Sequence, residues 1–130
     1  MTKSLTNINV LDFSHALSGP FCSMLLAELG AKIIKIEPPH GDHFRPANGG
    51  ATFAVVNRNK RSLCLDLKQP SASVIMERLI SKCDVILENF TPGTMKRLGF
   101  HYEALKKMKP DIIYASISGF GSTGPYRDLK

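Results

Sequence analysis

Long hydrophobic runs are missing from this sequence of 130 residues. No stretch of about 18 consecutive apolar residues occurs, although a membrane-spanning helix needs one. The opening residues, MTKSLTNINV, have neither the apolar core of a secretory signal nor an Arg-rich amphipathic pattern. We therefore expect a soluble, cytoplasmic protein that has no membrane as a partner.

Cysteine is scarce as well. The three cysteines, Cys22, Cys64 and Cys83, lie far apart in the sequence. Zinc sites use closely spaced cysteine pairs, and disulfide frameworks use an even number of cysteines. The spacing therefore predicts reduced, mostly buried thiols, and we predict no metal site.

Acidic residues are the minority among the charged ones. Eleven Asp and Glu stand against seventeen Lys and Arg, which gives a net charge of +6 and favours anionic partners. The basic residues are spread along the chain, aromatic residues are not interleaved with them, and no nucleic-acid-binding motif is recognisable. We predict no nucleic-acid partner, because a small phosphorylated ligand explains the charge equally well.

The sequence does contain enough apolar residues for one folded unit, since 43% of it is hydrophobic. Short apolar runs rich in β-branched residues alternate with segments of helical spacing. This alternation predicts an α/β fold with an open, mostly parallel sheet flanked by helices. The expected strands are residues 8–13, 32–37, 62–67, 85–87 and 112–116.

Prolines and glycines mark the expected helices. Pro20 is placed at the first position of a helix that Gly30 ends, and Pro70 opens a second helix. Two more are expected at residues 92–98, with Gly99 as the stop, and at 102–108, whereas residues 38–50 are expected to form a long loop. The core face of the second helix is predicted from four apolar residues: Val74, Ile75, Leu79 and Ile80.

Ligands of open α/β sheets gather at the carboxyl ends of the strands. Three loops lie at such positions, at residues 14–20, 89–93 and 118–125. The first loop lacks the GxGxxG pattern of dinucleotide sites, because it offers only Gly19, followed by Pro20. Nicotinamide and flavin cofactors are therefore not expected.

Four blocks of the sequence resemble a known family. They are LDFSHALSGPFCSMLLAELGAKIIKIEPPHGD, NRNKRSLCLDLKQP, DVILENFTPGTMKRLGF and PDIIYASISGFGSTGPY. In this order they are similar to the class III coenzyme A-transferases, which include formyl-CoA transferase, carnitine CoA-transferase and 2-methylacyl-CoA racemase.

The resemblance implies an enzyme that moves coenzyme A (CoA) between an acyl-CoA and a carboxylic acid, with no tightly bound cofactor. It implies that residues 1–130 are the N-terminal part of a Rossmann-like large domain, followed by a small domain, in a protein that forms an interlocked homodimer. The family attacks the thioester with an Asp carboxylate. By this resemblance the Asp lies beyond Lys130, so residues 1–130 contain no catalytic residue and are expected to be inactive alone.

The resemblance also implies a set of CoA-binding residues. Leu17 and Ser18 match positions beside the CoA chain, and the stretch from Leu65 to Lys68 matches another wall of the groove. The nucleotide end is matched by Asn89, Phe90, Arg97 and Lys130. The sequence departs from the family at Pro38, because many members have at this position an Arg that holds the nucleotide. Arg45 or His40 is left as a candidate for that role.

Other residues have structural explanations. Asp42 is expected to order a turn or to pair with Arg45, and Asp12 and Asp66 are expected to be structural residues inside strands. His15 and His40 are loop residues without an evident partner. Lys60 and Arg61 are expected to lie at a solvated strand edge, and Phe90 could belong to the core.

Two alternatives to CoA transfer stay open on the sequence. One is a 2-methylacyl-CoA racemase-like isomerase, because CLDLKQP-like and SGFG-like blocks also occur there. The other is a noncatalytic CoA-binding fragment.

Overall fold

The computed structural model describes residues 3–129 of the chain. Within them, five parallel strands form one sheet in the order β3-β2-β1-β4-β5. The strands are β1 (Asn9–Asp12), β2 (Lys32–Glu37), β3 (Lys60–Cys64), β4 (Val85–Glu88) and β5 (Ile113–Ser116). The predicted parallel α/β sheet is therefore confirmed, and its strand order is that of a Rossmann-like fold.

The helices are α1 (Ser18–Glu28), α2 (Ala51–Val56), α3 (Pro70–Ile80), α4 (Thr94–Arg97) and α5 (Tyr102–Met108). A 3₁₀ turn at Ala47–Gly50 precedes α2. Gly30 ends the first helical segment with φ of +106°, and its N–H donates to the Ala27 carbonyl, as its predicted capping role requires. The prediction of an unbroken loop at residues 38–50 missed this turn, and the short helix after it was not predicted either.

Helices cover both faces of the sheet. Alternate β1 residues point to opposite faces, so that Val10 packs with Ala27 of α1 while Leu11 packs with Met76 of α3. The β1–β2 and β1–β4 pairs are both parallel, which aligns the carboxyl ends of these three strands. The loops that follow them therefore meet at one edge.

Three fold predictions were wrong in detail. The third strand is Lys60–Cys64 rather than residues 62–67, because its parallel register pairs Lys60 with Ile33. Asp66 consequently lies in the turn before α3, where its carboxylate accepts the Lys68 N–H at 3.0 Å. Val74 and Ile75 are exposed, since the buried row of α3 has a spacing of four residues and consists of Ala72, Met76 and Ile80.

The surface differs from expectation at two further places. Of the three free thiols only that of Cys83 is buried, whereas Cys64 is exposed on the edge strand. Helix α1 exposes a straight row of large apolar side chains: Leu17 at its N-cap, Phe21, Leu25 and Leu29 at its C-cap. Among the described residues, no helix is both long and apolar enough to cross a bilayer.

Candidate functional site

A cavity of about 230 Å³ opens at the carboxyl edge of the sheet. Segments that follow β1, β2, β3 and β4 all contribute to its wall, as expected for a ligand site of an open α/β sheet. Three of the predicted CoA-binding residues line it, namely Leu65, Lys68 and Phe90. The structure thus brings together residues that are up to 25 positions apart in the sequence, counted from Leu65 to Phe90.

Asn89 joins two of these loops at the point where the strand order reverses. Its side-chain Oδ1 accepts the His15 N–H at 2.8 Å, and its Nδ2 donates to the His15 carbonyl at 2.9 Å. Because β1 lies between β2 and β4, this contact spans the switch point where ligands of such sheets bind. Ala16, the next residue, has φ of +62°, a region that residues with a Cβ seldom occupy. The two hydrogen bonds from the Asn89 side chain therefore stabilise a loop whose backbone is strained at Ala16.

The same loop carries Leu17 and Ser18. Leu17 is exposed and stands at the N-cap of α1, where its side chain supplies no acceptor for the first-turn N–H groups. Ser18 begins the helix, and its Oγ accepts a 3.2 Å hydrogen bond from Asn89 Nδ2. The two residues are therefore close to Asn89, although neither lines the cavity itself.

Arg97 does not line the cavity itself but contacts a residue that does. Its Nη2 donates to Thr94 Oγ1 at 2.8 Å, and Thr94 lines the cavity. The guanidinium is exposed, so that it can reach an anion at the rim. Lys130 lies outside the described residues.

A second, larger cavity of about 910 Å³ lies between the ends of β4 and β5. Phe90 lines both cavities. Loop 118–125 contributes Ser118 and Ser122 to the lining of this second cavity, which also includes Thr91 and Gly93. The three predicted ligand-binding loops therefore meet around Phe90, whose ring also packs against the core.

A buried polar network beneath the site was not predicted. Asp12 Oδ2 accepts Ser23 Oγ at 2.5 Å and lies 3.1 Å from Lys60 Nζ, while Asp12 Oδ1 accepts from the N–H and hydroxyl of Ser14. The side chain of Lys60 is therefore only 2% exposed, and its assignment to a solvated edge was wrong because its ammonium pairs with the buried Asp12. Burial lowers the pKa of Lys60, and the nearby Asp12 carboxylate opposes this effect.

Lys35 is the second buried lysine. Its Nζ donates to the Ser14 carbonyl at 2.5 Å and lies 3.0 Å from Asp42 Oδ2. Burial raises the pKa of Asp42, but the N–H of Phe44 and the Lys35 ammonium outweigh it and leave the pKa lowered. Asp42 orders the turn as predicted.

Arg45, the alternative partner expected for Asp42, pairs with Glu37 instead. The Arg45 Nε and Nη2 donate to the two Glu37 oxygens at 2.6 and 2.7 Å. Burial works against ionisation of Glu37, yet hydrogen bonds from Arg45 and Ser62 lower its pKa to about 2. Arg45 also stacks on Phe53, with 4.2 Å from Cζ to the ring centroid, and is thus committed to protein contacts. His40 is exposed.

His15 has partners that the sequence did not reveal. Its ring packs against Phe90 in a tilted arrangement, with 5.2 Å between centroids and 43° between the ring planes, and lies 5.6 Å from the ring of His43. His15 Nδ1 is 3.5 Å from Asp42 Oδ2. Burial lowers the pKa of His15, and the Asp42 carboxylate partly compensates. A signal for this network existed in the strand KIIKIE, because a lysine in the middle of a buried strand requires a buried acceptor.

Known proteins resemble this chain over its whole length. Formyl-CoA:oxalate CoA-transferase of Bradyrhizobium diazoefficiens is 47% identical to it over 137 residues, which cover 100% of this chain and 32% of the relative. The enzyme of the same name from Afipia carboxidovorans is 44% identical with the same coverage. This chain therefore spans about a third of the length of these curated relatives.

Solved structures give the same result. A CAIB/BAIF family protein from Brucella suis superposes with a TM-score of 0.95 at 35% identity, over 99% of this chain and 37% of the other. Rv3272 from M. tuberculosis superposes with a TM-score of 0.93 at 38% identity, over 97% of this chain and 35% of the other. The likeness therefore includes the sheet, the helices and the loops at the carboxyl edge.

The family model described as CoA-transferase family III matches residues 5–130, which include every loop around the cavity. Because this match and the relatives agree with the four sequence blocks and with the strand order, the chain belongs to CoA-transferase family III.

Proposed function

We propose that this chain supplies the CoA-binding part of an enzyme that transfers CoA between an acyl-CoA and a carboxylic acid. The observation that carries the proposal is the cavity at the switch point of the sheet, which Leu65, Lys68 and Phe90 line in a chain of this family. The chain would form the N-terminal part of the large domain, and the full-length protein would be an interlocked homodimer.

The chemistry of the lining suits the parts of CoA. Lys68 in the lining offers a cation for its phosphates, and so does the exposed Arg97, which hydrogen-bonds Thr94 of the lining. The Phe90 ring offers an apolar surface between the two cavities. Leu17 and Ser18 stand on the loop that Asn89 holds, where they would lie along the CoA chain. Pro38 forms part of the wall, so nucleotide affinity would depend on Lys68 and Arg97 in place of an Arg at that position.

The reaction would run through an Asp carboxylate located outside residues 1–130. Its oxygen would attack the thioester carbonyl, the C–S bond would break, and CoA would leave as a thiolate. The thiolate would then attack the Asp carbonyl of the mixed anhydride and release the first carboxylate. An acceptor carboxylate would then attack the Asp–CoA thioester and release the CoA thiolate, giving a second mixed anhydride. The thiolate would attack the acceptor's carbonyl in this anhydride, which forms the new acyl-CoA and frees the Asp carboxylate.

The names of the relatives favour transfer over racemisation, because the curated ones cited above are called CoA-transferases. Formyl-CoA and oxalate are the first donor and acceptor to assay for this reason. The full-length protein should exchange CoA between an acyl-CoA and a carboxylate, whereas residues 1–130 alone should not. Racemisation of a 2-methylacyl-CoA without exchange would favour the isomerase, and CoA binding without either reaction would favour a noncatalytic protein.

The assignment of Arg97 can be tested separately. Arg97→Ala in the full-length protein should weaken CoA binding by about 1–3 kcal/mol, because a charge-assisted contact to a phosphate is lost. Isothermal titration calorimetry measures the change. Arg78→Ala, an exposed cation in the last turn of α3, is the matched control and should leave the affinity unchanged. An unaltered affinity in Arg97→Ala would reject the assignment.

A further inference from the structure

Three side chains that can bind metal ions meet beside the cavity. His15 stands on the loop after β1, whereas Asp42 and His43 stand on the loop after β2. One ligand atom from each lies within 4.8 Å of the other two. His15 Nδ1 is 3.5 Å from Asp42 Oδ2, and His43 Nδ1 is 3.8 Å from Asp42 Oδ1.

One of these atoms, Nδ1 of His15, is buried without a hydrogen-bond partner among residues 3–129. Asp42 is only 2% exposed, and its Oδ2 lies 3.0 Å from the Lys35 ammonium, which has three N–H donors and also donates to the Ser14 carbonyl. Buried polar atoms in native proteins nearly always have a partner, and a bound ion is one way to supply it.

We propose that His15, Asp42 and His43 bind a divalent transition-metal ion, and that Zn²⁺ is the ion whose chemistry fits them. Two imidazoles and one carboxylate are the donor types that Zn²⁺ uses in three-ligand sites with an open fourth position. At the usual Zn–N and Zn–O lengths of about 2.0–2.2 Å, tetrahedral ligand atoms lie about 3.3 Å apart. The observed 3.5 and 3.8 Å join the two histidines to different oxygens of Asp42, and one ligand atom from each residue lies within 4.8 Å of the others. The exposed His43 ring would therefore have to move inward to share one ion with His15 and Asp42.

The surroundings support the carboxylate as a ligand. The Phe44 N–H donates to Asp42 Oδ1 at 2.9 Å and fixes its orientation, as second-shell groups do in metal sites. Lys35 is the positive charge nearest to Asp42 Oδ2. Two other cations close to the site, Lys60 and Arg45, are each neutralised by a carboxylate, Asp12 and Glu37 respectively. Lys35 thus limits the affinity, since its charge opposes that of the ion.

The ion would link two loops at the cavity. His15 adjoins the loop that carries Leu17 and Ser18, while Asp42 and His43 belong to the segment that follows β2. Binding of the ion to the folded state alone should therefore raise the thermal unfolding temperature.

The experiment uses the full-length protein, stripped with a chelator and titrated with Zn²⁺ alone in competition with a chromophoric chelator. Wild type should bind one more Zn²⁺ than His43→Ala, or should bind it about tenfold or more tightly. His40→Ala removes an exposed histidine three residues away and is the matched control, with wild-type binding expected. His43 is exposed, so its removal should leave the fold intact, which circular dichroism checks.

Equal stoichiometry and affinity in wild type and His43→Ala would overturn the proposal. So would a loss of binding in His40→Ala that His43→Ala does not share. A second measurement is the unfolding temperature with and without Zn²⁺, which should rise in wild type and in His40→Ala but not in His43→Ala. The experiment measures metal binding alone, so its outcome does not depend on whether the protein transfers CoA.

Discussion

Glu37 shows how a charged residue is held inside this fold. Its side chain is 2% exposed, and both of its oxygens accept hydrogen bonds, from Arg45, from Ser62 and from the Asp42 N–H. The pKa of about 2 means that the folded state favours the ionised carboxylate despite burial. The contribution to stability is therefore present above the ordinary pKa of 4.5 and is lost as the pH falls towards 2.

The pairing of Arg45 with Glu37 can be tested by substitution. Arg45→Ala should lower the free energy of unfolding at neutral pH by about 1–3 kcal/mol, a range reduced for the solvent exposure of Arg45. The difference from wild type should shrink as the pH falls from 4.5 towards 2, because Glu37 becomes protonated in both proteins. Urea denaturation at several pH values measures it.

A matched control is the ion pair of Arg58 and Glu28, in which both side chains are about half exposed. Arg58→Ala should cost only about 0–0.5 kcal/mol at neutral pH. Equal losses in the two variants, or an Arg45→Ala loss that does not depend on pH, would contradict the description of Glu37 as a buried carboxylate whose pKa Arg45 lowers.

At the scale of elements, the loop between β1 and α1 depends on β4 for its shape. Asn89 reproduces with one side chain the two hydrogen bonds that a neighbouring strand would give to His15. The positive φ of Ala16 costs free energy that these bonds offset. The loop is therefore ordered by its tertiary contacts rather than by its own sequence.

Asn89→Ala should lower the free energy of unfolding by about 1–3 kcal/mol, because the N–H and C=O of His15 lose their partners. It should also speed amide exchange at residues 15–17. Asn89→Asp keeps the acceptor for the His15 N–H but loses both donors, so an intermediate or equal loss is expected. Unchanged stability and amide exchange in Asn89→Ala would show that the loop keeps its conformation without the hydrogen bonds from Asn89.

The bounds of helices and strands could be predicted where the local sequence pattern alone determines them. The apolar run at residues 32–37 and the helix at residues 102–108 have the predicted bounds, and Gly99 ends α4 with φ of +83°. The third strand was placed two residues too late because the basic residues Lys60 and Arg61 suggested solvent. The pairing of Lys60 with Asp12 depends on the folded chain and could not be derived from neighbouring residues.

At the scale of the whole molecule, the edge of the sheet where the predicted loops meet could be predicted, but the contacts between those loops could not. The carboxyl ends of parallel strands converge in any fold of this class, which brings Leu65, Lys68 and Phe90 to one cavity. The loop after β2, which places Asp42 and His43 beside His15, was predicted only as a long loop in which Asp42 orders a turn or pairs with Arg45. Its contacts join residues 27 positions apart, from His15 to Asp42, and no periodicity in the sequence indicates them.

The most direct test of the account is the footprint of CoA on the full-length protein, measured by hydrogen–deuterium exchange of the backbone amides. Bound CoA should slow exchange at residues 14–19, 65–68 and 89–93, which surround the cavity at the carboxyl edge. Residues 57–61 and 81–84, which contribute to a cavity at the opposite edge of the sheet, should exchange as before. Protection confined to that opposite edge, or saturating CoA without any protection at residues 65–68 and 89–93, would contradict the proposal that this cavity is the CoA site.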